Sequence, residues 1–245
     1  MKALILAAGY ATRLYPLTKE YPKPLLKIKG RPIIEHIIRK LEGIKGLDKI
    51  IVVTNSKFFV KFKEWHNGFT CGSKIVIVDD LTKDLNDRRG AIGDMSFAIC
   101  EQKIKDDLLV VGGDNLIGSD LGSFLKFSRA KWDYPTIGVY DIKYKAAAKK
   151  YGVVKLDKEG LIVDFEEKPA KPASTYVAMC LYYFPAKSTR LLKEYMHAHA
   201  SRLDATGFYI DWLRKKTAVH GFVFEGSWFD IGDKKFYQKA EEEFN

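Results

Sequence analysis

The opening Lys2-Ala3-Leu4-Ile5-Leu6-Ala7 and the small-residue stretch after it constrain the fold more than any other part of the chain. The run is apolar without the alternation of a half-solvated edge. It therefore predicts a strand covered on both faces, of the kind found inside a parallel sheet. It empties into Ala8-Gly9-Tyr10-Ala11-Thr12-Arg13-Leu14, where small side chains let backbone N–H groups approach a ligand. Arg13 adds a planar fork of donors, and Lys23, restrained between Pro22 and Pro24, adds a mobile point charge. A turn of this kind with two separated cations suits a triphosphate. The alternative is an ordinary strand–loop–helix with a solvated basic loop. The stretch is neither a P-loop nor a dinucleotide fingerprint, because it lacks Gly-x-x-x-x-Gly-Lys-Ser/Thr and Gly-x-Gly-x-x-Gly.

Helical spacing follows over Pro32–Leu41, with His36 on or beside the apolar face in a structural role. Asp48–Thr54 reads as a second buried strand, and Phe58–Trp65 as a helical aromatic stripe directed into the core. Lys74–Val78 is a third strand, running into Asp79-Asp80. That order begins a doubly wound, mostly parallel sheet. A polar loop over Asn86–Asp94 should lead into a helix at Met95–Glu101. Asp107–Asn115 is an apolar strand that ends in the carboxylate Asp114. Open α/β sheets bind ligands at such strand ends, and a hard cation bridging phosphates needs an oxygen ligand there. A helix cap is the alternative use for that side chain.

Pro135–Tyr140 is the next strand, and Lys143–Lys150 a basic, mobile loop. Tyr151–Leu156 and Leu161–Glu166 form a hairpin about Asp157-Lys158-Glu159-Gly160, closed by Glu166-Glu167-Lys168-Pro169. Thr175–Phe184 is a long strand. Helices are expected over Ser188–His199 and Phe208–Lys216, and a final one over Asp233–Phe244.

With 245 residues, 47% of them apolar, the chain can fill one large core. The +10 net charge is spread along the sequence without a nucleic-acid-binding motif, so solvated lysines and anionic small molecules account for it. Cys71, Cys100 and Cys180 make neither a disulfide framework nor a metal cluster, and His197, His199 and His220 are too poorly patterned for zinc. No run of 18 apolar residues exists, and the opening run is too short for a signal peptide. We therefore expect a cytoplasmic protein with no membrane or nucleic-acid partner.

Leu6-Ala7-Ala8-Gly9-Tyr10-Ala11-Thr12-Arg13-Leu14-Tyr15-Pro16-Leu17-Thr18, followed by Pro22-Lys23-Pro24-Leu25-Leu26, resembles the signature of the sugar-1-phosphate nucleotidylyltransferases, or nucleoside-diphosphate-sugar pyrophosphorylases. The short bacterial glucose-1-phosphate thymidylyltransferase branch is similar in length. Gly112-Gly113-Asp114-Asn115, Glu166-Glu167-Lys168-Pro169 and Trp228-Phe229-Asp230-Ile231-Gly232 extend the resemblance, in order, over essentially the whole chain. It implies a single α/β domain over residues 1–245: an open, mostly parallel Rossmann-like sheet with a small β-rich sugar-binding lobe at about 140–183. It implies NTP and a sugar 1-phosphate as substrates, NDP-sugar and pyrophosphate as products, and Mg²⁺ as cofactor.

By the same resemblance, Arg13, Lys23 and Asp114 are catalytic. Leu6, Ala7, Ala8, Gly9, Thr12, Arg13, Asp80, Gly90 and Asp114 bind the nucleotide. Tyr151, Gly152, Glu167, Lys168, Ala178 and Tyr182 bind the sugar phosphate, and Asp114 and Asp230 the metal. Two positions depart from the family pattern. The thymidylyl members usually carry a glutamine after the third strand, where this chain has Val78-Asp79-Asp80-Leu81, and most relatives carry glycine where it has Cys180. Cys180 should trim the sugar pocket rather than react. A carboxylate such as Asp80 can accept from the exocyclic amine of cytosine, a donor thymine lacks, so CTP stands beside dTTP and UTP. A CTP-dependent enzyme acting on phosphocholine or inositol phosphate, and an inactive nucleotide-binding regulator, are the alternative readings. Homo-oligomerisation is left open.

Overall fold

The computed structural model describes residues 1–244. β1 (Lys2–Leu6) is followed by single 3-10 turns at Thr12–Leu14 and Lys23–Leu25, then by a ribbon of β2 (Lys27–Ile28) and β3 (Arg31–Pro32). α1 (Ile33–Glu42), β4 (Lys49–Thr54), α2 (Ser56–Asn67), β5 (Ile75–Asp79), α3 (Gly90–Glu101) and β6 (Leu108–Gly112) come next. The second half contains β7 (Asn115–Ile117), α4 (Gly122–Ala130), β8 (Thr136–Asp141), α5 (Lys145–Ala148), β9 (Gly152–Leu156), β10 (Ile162–Glu167) and β11 (Tyr176–Phe184). The remaining elements are α6 (Thr189–Ala198), α7 (Thr206–Leu213), β12 (His220–Phe224), β13 (Trp228–Asp230) and α8 (Lys234–Glu243).

Nine strands form one open, mixed sheet in the order β10-β9-β11-β6-β1-β4-β5, with β8 branching from β11 and β12 from β8. β1 lies between β6 and β4 and runs parallel to both, and β5 extends the parallel half. The unbroken apolar character of β1 is explained by this position: Ala3, Leu4 and Ile5 are all fully buried. Alternate β1 side chains enter different cores. Ala3 and Ile5 meet Ile33, Ile37 and Leu41 of α1 and Phe58 and Phe62 of α2, whereas Leu4 meets Met95 and Ala98 of α3 and Tyr195 of α6. Helices cover both faces, as the alternating strand–helix order predicts. The aromatic stripe of α2 is core, as expected. His36 is structural too, its Nε2 hydrogen-bonded to the Ile28 carbonyl at 2.9 Å and its ring edge-on to Phe244.

On the other side of β6, the sheet turns antiparallel. β11 pairs antiparallel with β6, β8 and β9, and the β9–β10 hairpin ends the sheet as its smaller, β-rich part. Cys180 takes a left-handed conformation, φ 51°, and the register of β11 against β8 shifts between Ala178 and Tyr182. The two halves of this long strand consequently serve different neighbours.

Three elements differ from the sequence reading. α3 begins at Gly90 rather than Met95, because Ala91 and Ile92 donate their N–H groups to the carbonyls of Asp204 and Leu203 and so start the helix early. Only glycine fits there: φ is +74°, and a Cβ would lie 2.6 Å from the Leu203 oxygen. The basic segment expected to be a loop carries α5, whose Ala148 is fully buried. The strand expected over Asp107–Asn115 stops at Gly112, and Asn115 begins β7, which leaves the main sheet to pair antiparallel with β13.

Candidate active site

The loop after β1 is held from beneath. Asn55 caps α2 by accepting from Phe58 N–H at 3.0 Å, and its Nδ2 donates to the Ala8 carbonyl at 2.8 Å. Ala11 is left-handed, φ 48°, and its carbonyl accepts from the Thr18 hydroxyl at 2.8 Å. The loop therefore follows the C-terminal end of the central strand in a fixed shape. A Cβ placed on Gly9 would meet nothing within 4 Å, so its exposed backbone is open to a ligand.

The β7–β13 ribbon brings the second half of the site to this loop. Asn115 sits opposite Asp230 in the register, and Ile231 N–H donates to the Asp114 carbonyl at 3.2 Å. The side chains of Asp114 and Asp230 consequently line one cleft, close enough for the charge of Asp114 to act on Asp230. Lys23 Nζ donates to Asp114 Oδ2 at 2.5 Å and to the Ile231 carbonyl at 3.0 Å. Arg13 lies beside Asp230: its Nη1 and the Asp230 Oδ2 are both 3.7 Å from where a Cβ of Gly232 would be. Burial acts to raise the Asp114 carboxyl, yet the adjoining Lys23 ammonium outweighs it and holds the group below the ordinary carboxylate range. Asp230 goes the other way, pushed up to about 7 by burial and then by the charge of Asp114.

Asn115 fixes this geometry. It is 2% exposed; its Nδ2 donates to the carbonyls of Met179 and Cys180 on β11, and its Oδ1 accepts from Trp228 Nε1 at 3.0 Å. One amide thus ties β7, β11 and β13 together.

Two adjoining clefts flank the carboxylates. The first, about 370 Å³, is lined by Leu6, Ala8, Gly9, Thr12, Arg13, Lys23, Asp80, Gly90 and Asp114, all named from the sequence. Ala7 does not line it: the residue is 3% exposed, and its N–H donates to the Val53 carbonyl at 2.8 Å. The second, about 300 Å³, gathers Tyr151, Gly152, Glu167, Lys168, Ala178, Tyr182, Asp114 and Asp230. The clefts share Ala91, Asp114, Cys180 and Asp204.

Glu167 sits deep in the second cleft with Lys168 Nζ 3.5 Å from its Oε1, and burial pushes its carboxyl up against the opposing pull of that lysine. Gly207 on α7 makes room for it, since a Cβ there would lie 1.8 Å from Glu167 Oε2. Tyr182 and Thr206 share a hydrogen bond at 2.6 Å, and burial pushes the Cys180 thiol up to about 12. A thiol so far from ionising is no nucleophile.

Sequence reasoning missed Tyr10, Arg88, Asp94 and Asp204 in the first cleft and Lys150, Thr206, Gly207 and Trp228 in the second. Tyr10 and Trp228 lie inside the quoted motifs, the early start of α3 carries the signal for Asp94, and Arg88, Lys150, Asp204, Thr206 and Gly207 come from segments with no phosphate- or sugar-like pattern.

Among the described residues, no group of three or more His, Cys, Asp or Glu side chains gathers into a metal cluster. The Asp114–Asp230 pair nonetheless fits a hard divalent cation of the Mg²⁺ type, which takes one or two protein carboxylates and completes its shell with substrate phosphates and water. No helix among the described residues is long and apolar enough to cross a membrane.

The nucleotidyl transferase family profile matches residues 2–245, and the chain belongs to that family. It is 31% identical over 234 residues to the bifunctional protein GlmU of Methanocaldococcus jannaschii, a match covering 95% of this chain and 51% of GlmU. The chain thus spans about half the length of that relative. It is 28% identical over 184 residues to the UTP–glucose-1-phosphate uridylyltransferase AglF of Haloferax volcanii, covering 75% of this chain and 72% of AglF. The solved UDP-glucose pyrophosphorylase complexed with UDP-glucose shares the fold, with TM-score 0.82 at 19% identity over 98% of this chain and 97% of that one.

Replacing Asn115 by Ala should leave two carbonyls and the Trp228 N–H without their partner, lowering unfolding stability by about 2–4 kcal/mol. Chemical denaturation measures this. A loss below about 0.5 kcal/mol would mean that the ribbon is held by something else.

Proposed function

We propose that the chain transfers a nucleotidyl group from an NTP to a sugar 1-phosphate, releasing pyrophosphate and forming the NDP-sugar. The observation that carries this reading is the meeting of two clefts at Asp114, one walled by the β1 loop with Arg13 and Lys23, the other by Glu167 and Lys168. The GlmU and AglF matches support it, since AglF by its name acts on UTP and glucose 1-phosphate.

The NTP lies in the first cleft, its phosphates against Gly9, Thr12, Arg13 and Lys23, and its base toward Asp80 and Gly90. The sugar phosphate lies in the second, in the β-rich part at about 140–183 of a single unit spanning 1–245. Glu167 accepts from sugar hydroxyls and Lys168 pairs with the phosphate, with Tyr151, Gly152, Ala178 and Tyr182 shaping the pocket. A phosphate oxygen of the sugar attacks the α-phosphorus, the bond from that phosphorus to the bridging oxygen breaks, and pyrophosphate leaves with the electron pair. No proton or protein nucleophile is required. Catalysis consists of alignment and charge neutralisation. Lys23 and Arg13 offset charge that grows on the departing pyrophosphate, and Lys168 lowers the repulsion between incoming and resident phosphates. Asp114 and Asp230 would hold a divalent cation, which when bound neutralises and orients the nucleotide's phosphates. The Glu167–Lys168 pair favours a sugar over choline, which calls for an aromatic or acidic cage without a neighbouring cation.

Pyrophosphate release in the presence of an NTP and sugar 1-phosphates tests the reading, and its absence with every pair would reject it. Within that assay, Lys23→Ala should lower turnover more than tenfold, or by about 1.4 kcal/mol in the barrier, with the variant's fold checked by circular dichroism. A folded variant with near-normal kcat/KM would remove Lys23 from the chemistry. Glu167→Gln should weaken the sugar phosphate and leave NTP affinity within a few fold, because an amide offers one acceptor where the carboxylate offers two. Calorimetry with each ligand separates them, and a large loss of NTP affinity would put Glu167 in the wrong pocket.

A further inference from the structure

Asp114 follows β6 and Asp80 follows β5, three positions apart in the strand order β6-β1-β4-β5. At about 4.8 Å per position the separation is about 14 Å, a span that a nucleoside triphosphate bridges. With the phosphates drawn to Arg13 and Lys23, the base falls at the Asp80 end. There Asp80 and Asp94, 1% and 7% exposed, both line the cleft wall.

Asp80 is pinned in place. Its Oδ1 accepts from both the N–H and the hydroxyl of Thr82 at 2.7 Å, and its carbonyl accepts from Arg89 Nε at 2.6 Å. Arg88, the other cation at this end, is committed through Nε and Nη2 to Asp204 at 3.0 and 2.6 Å. Asp94 Oδ1 is buried with no hydrogen-bond partner in the protein. Burial, reinforced by Asp80 and Asp204 and opposed by Arg89, pushes the Asp94 carboxyl up to about 8. Thr82, Arg88 and Arg89, the donors at this end, are thus already committed. What is left without a partner is carboxyl oxygen, an acceptor. A ligand edge that presents N–H donors satisfies it, and an edge that presents a carbonyl oxygen does not.

We propose that Asp94, together with Asp80, selects the nucleotide by accepting from an exocyclic amine on its base, so that CTP or ATP binds in preference to UTP and dTTP. Cytosine carries that amine at C4 and adenine at C6, where uracil and thymine carry a carbonyl oxygen at C4. The proposal rests on the nucleotidyl-transfer reading and names its donor substrate. Asp94 is a specificity residue in this account, since it meets the base and not the reacting phosphorus.

Calorimetric titration of the full chain with CTP, ATP, UTP and dTTP, each with Mg²⁺, tests it. The better of CTP and ATP should bind at least tenfold more tightly than UTP or dTTP, and the ranking of those two separates a pyrimidine site from a purine one. Asp94→Asn, which adds an N–H donor at the same place, should bring the amine-to-carbonyl ratio down tenfold or more. UTP or dTTP binding as tightly as CTP and ATP overturns the proposal while leaving nucleotidyl transfer intact. So does a folded Asp94→Asn protein with an unchanged ratio. The wild-type ranking decides the matter even if the variant does not fold. Failure of every nucleotide to bind would remove the transfer reading itself, and this proposal with it.

Discussion

Two half-buried carboxylates are brought together at the end of a parallel sheet, with an ammonium paired to one of them. Asp114 and Asp230 would repel if both were ionised, and burial would strengthen that repulsion. Lys23, 2.5 Å from Asp114, removes much of the conflict, and Asp230 accommodates the rest by holding its proton up to about 7. A chain selected for stability alone would gain by replacing such a cluster with apolar side chains. Its retention makes sense where phosphates and a cation enter, because the same groups then meet charges of opposite sign.

The sheet is arranged to reach this point from two sides. Its parallel half, β6-β1-β4-β5, delivers the small-residue loop and the Asp80 end of the first cleft from strand termini that point the same way. Its antiparallel half, built on β11, delivers Glu167 and Tyr182 from the opposite side of β6. The left-handed Cys180 lies at the junction, where the register of β11 against β8 shifts, and lines both clefts. The two clefts consequently meet at Asp114 from opposite sides of β6.

Much of this was legible in the sequence, and the part that was not has physical causes. β1, the strand order of the first half and the hairpin all have strong local signals: unbroken apolar runs, a helical stripe over Ile33–Leu41, and an Asp-Lys-Glu-Gly turn. Asp114 and Asp230 are 116 positions apart, and the sequence pairs them only through the resemblance and the strand-like segment before each; their meeting depends on β7 and β13, three-residue strands too short to show a period. Gly90 was read as a loop residue because its role is to seat the first turn of α3 on Leu203 and Asp204, more than 100 positions away. Asp94 is placed on the cleft wall by that same early start of α3, which a loop reading of Asn86–Asp94 does not show. Ala7 belongs to the small-residue motif but does not line the first cleft, and its N–H is used by the Val53 carbonyl.

The central claim is that Asp114 and Asp230 act as one cation-and-phosphate centre, and a crystal structure with Mg²⁺ and a bound nucleotide tests it most directly. The account predicts a cation between the carboxylates and the nucleotide's phosphates, with a ligand oxygen from each aspartate at about 2.1 Å or through one water, and Lys23 turned toward the phosphates. Nucleotide bound in the first cleft with Asp230 more than about 5 Å from the cation and no intervening water would contradict it.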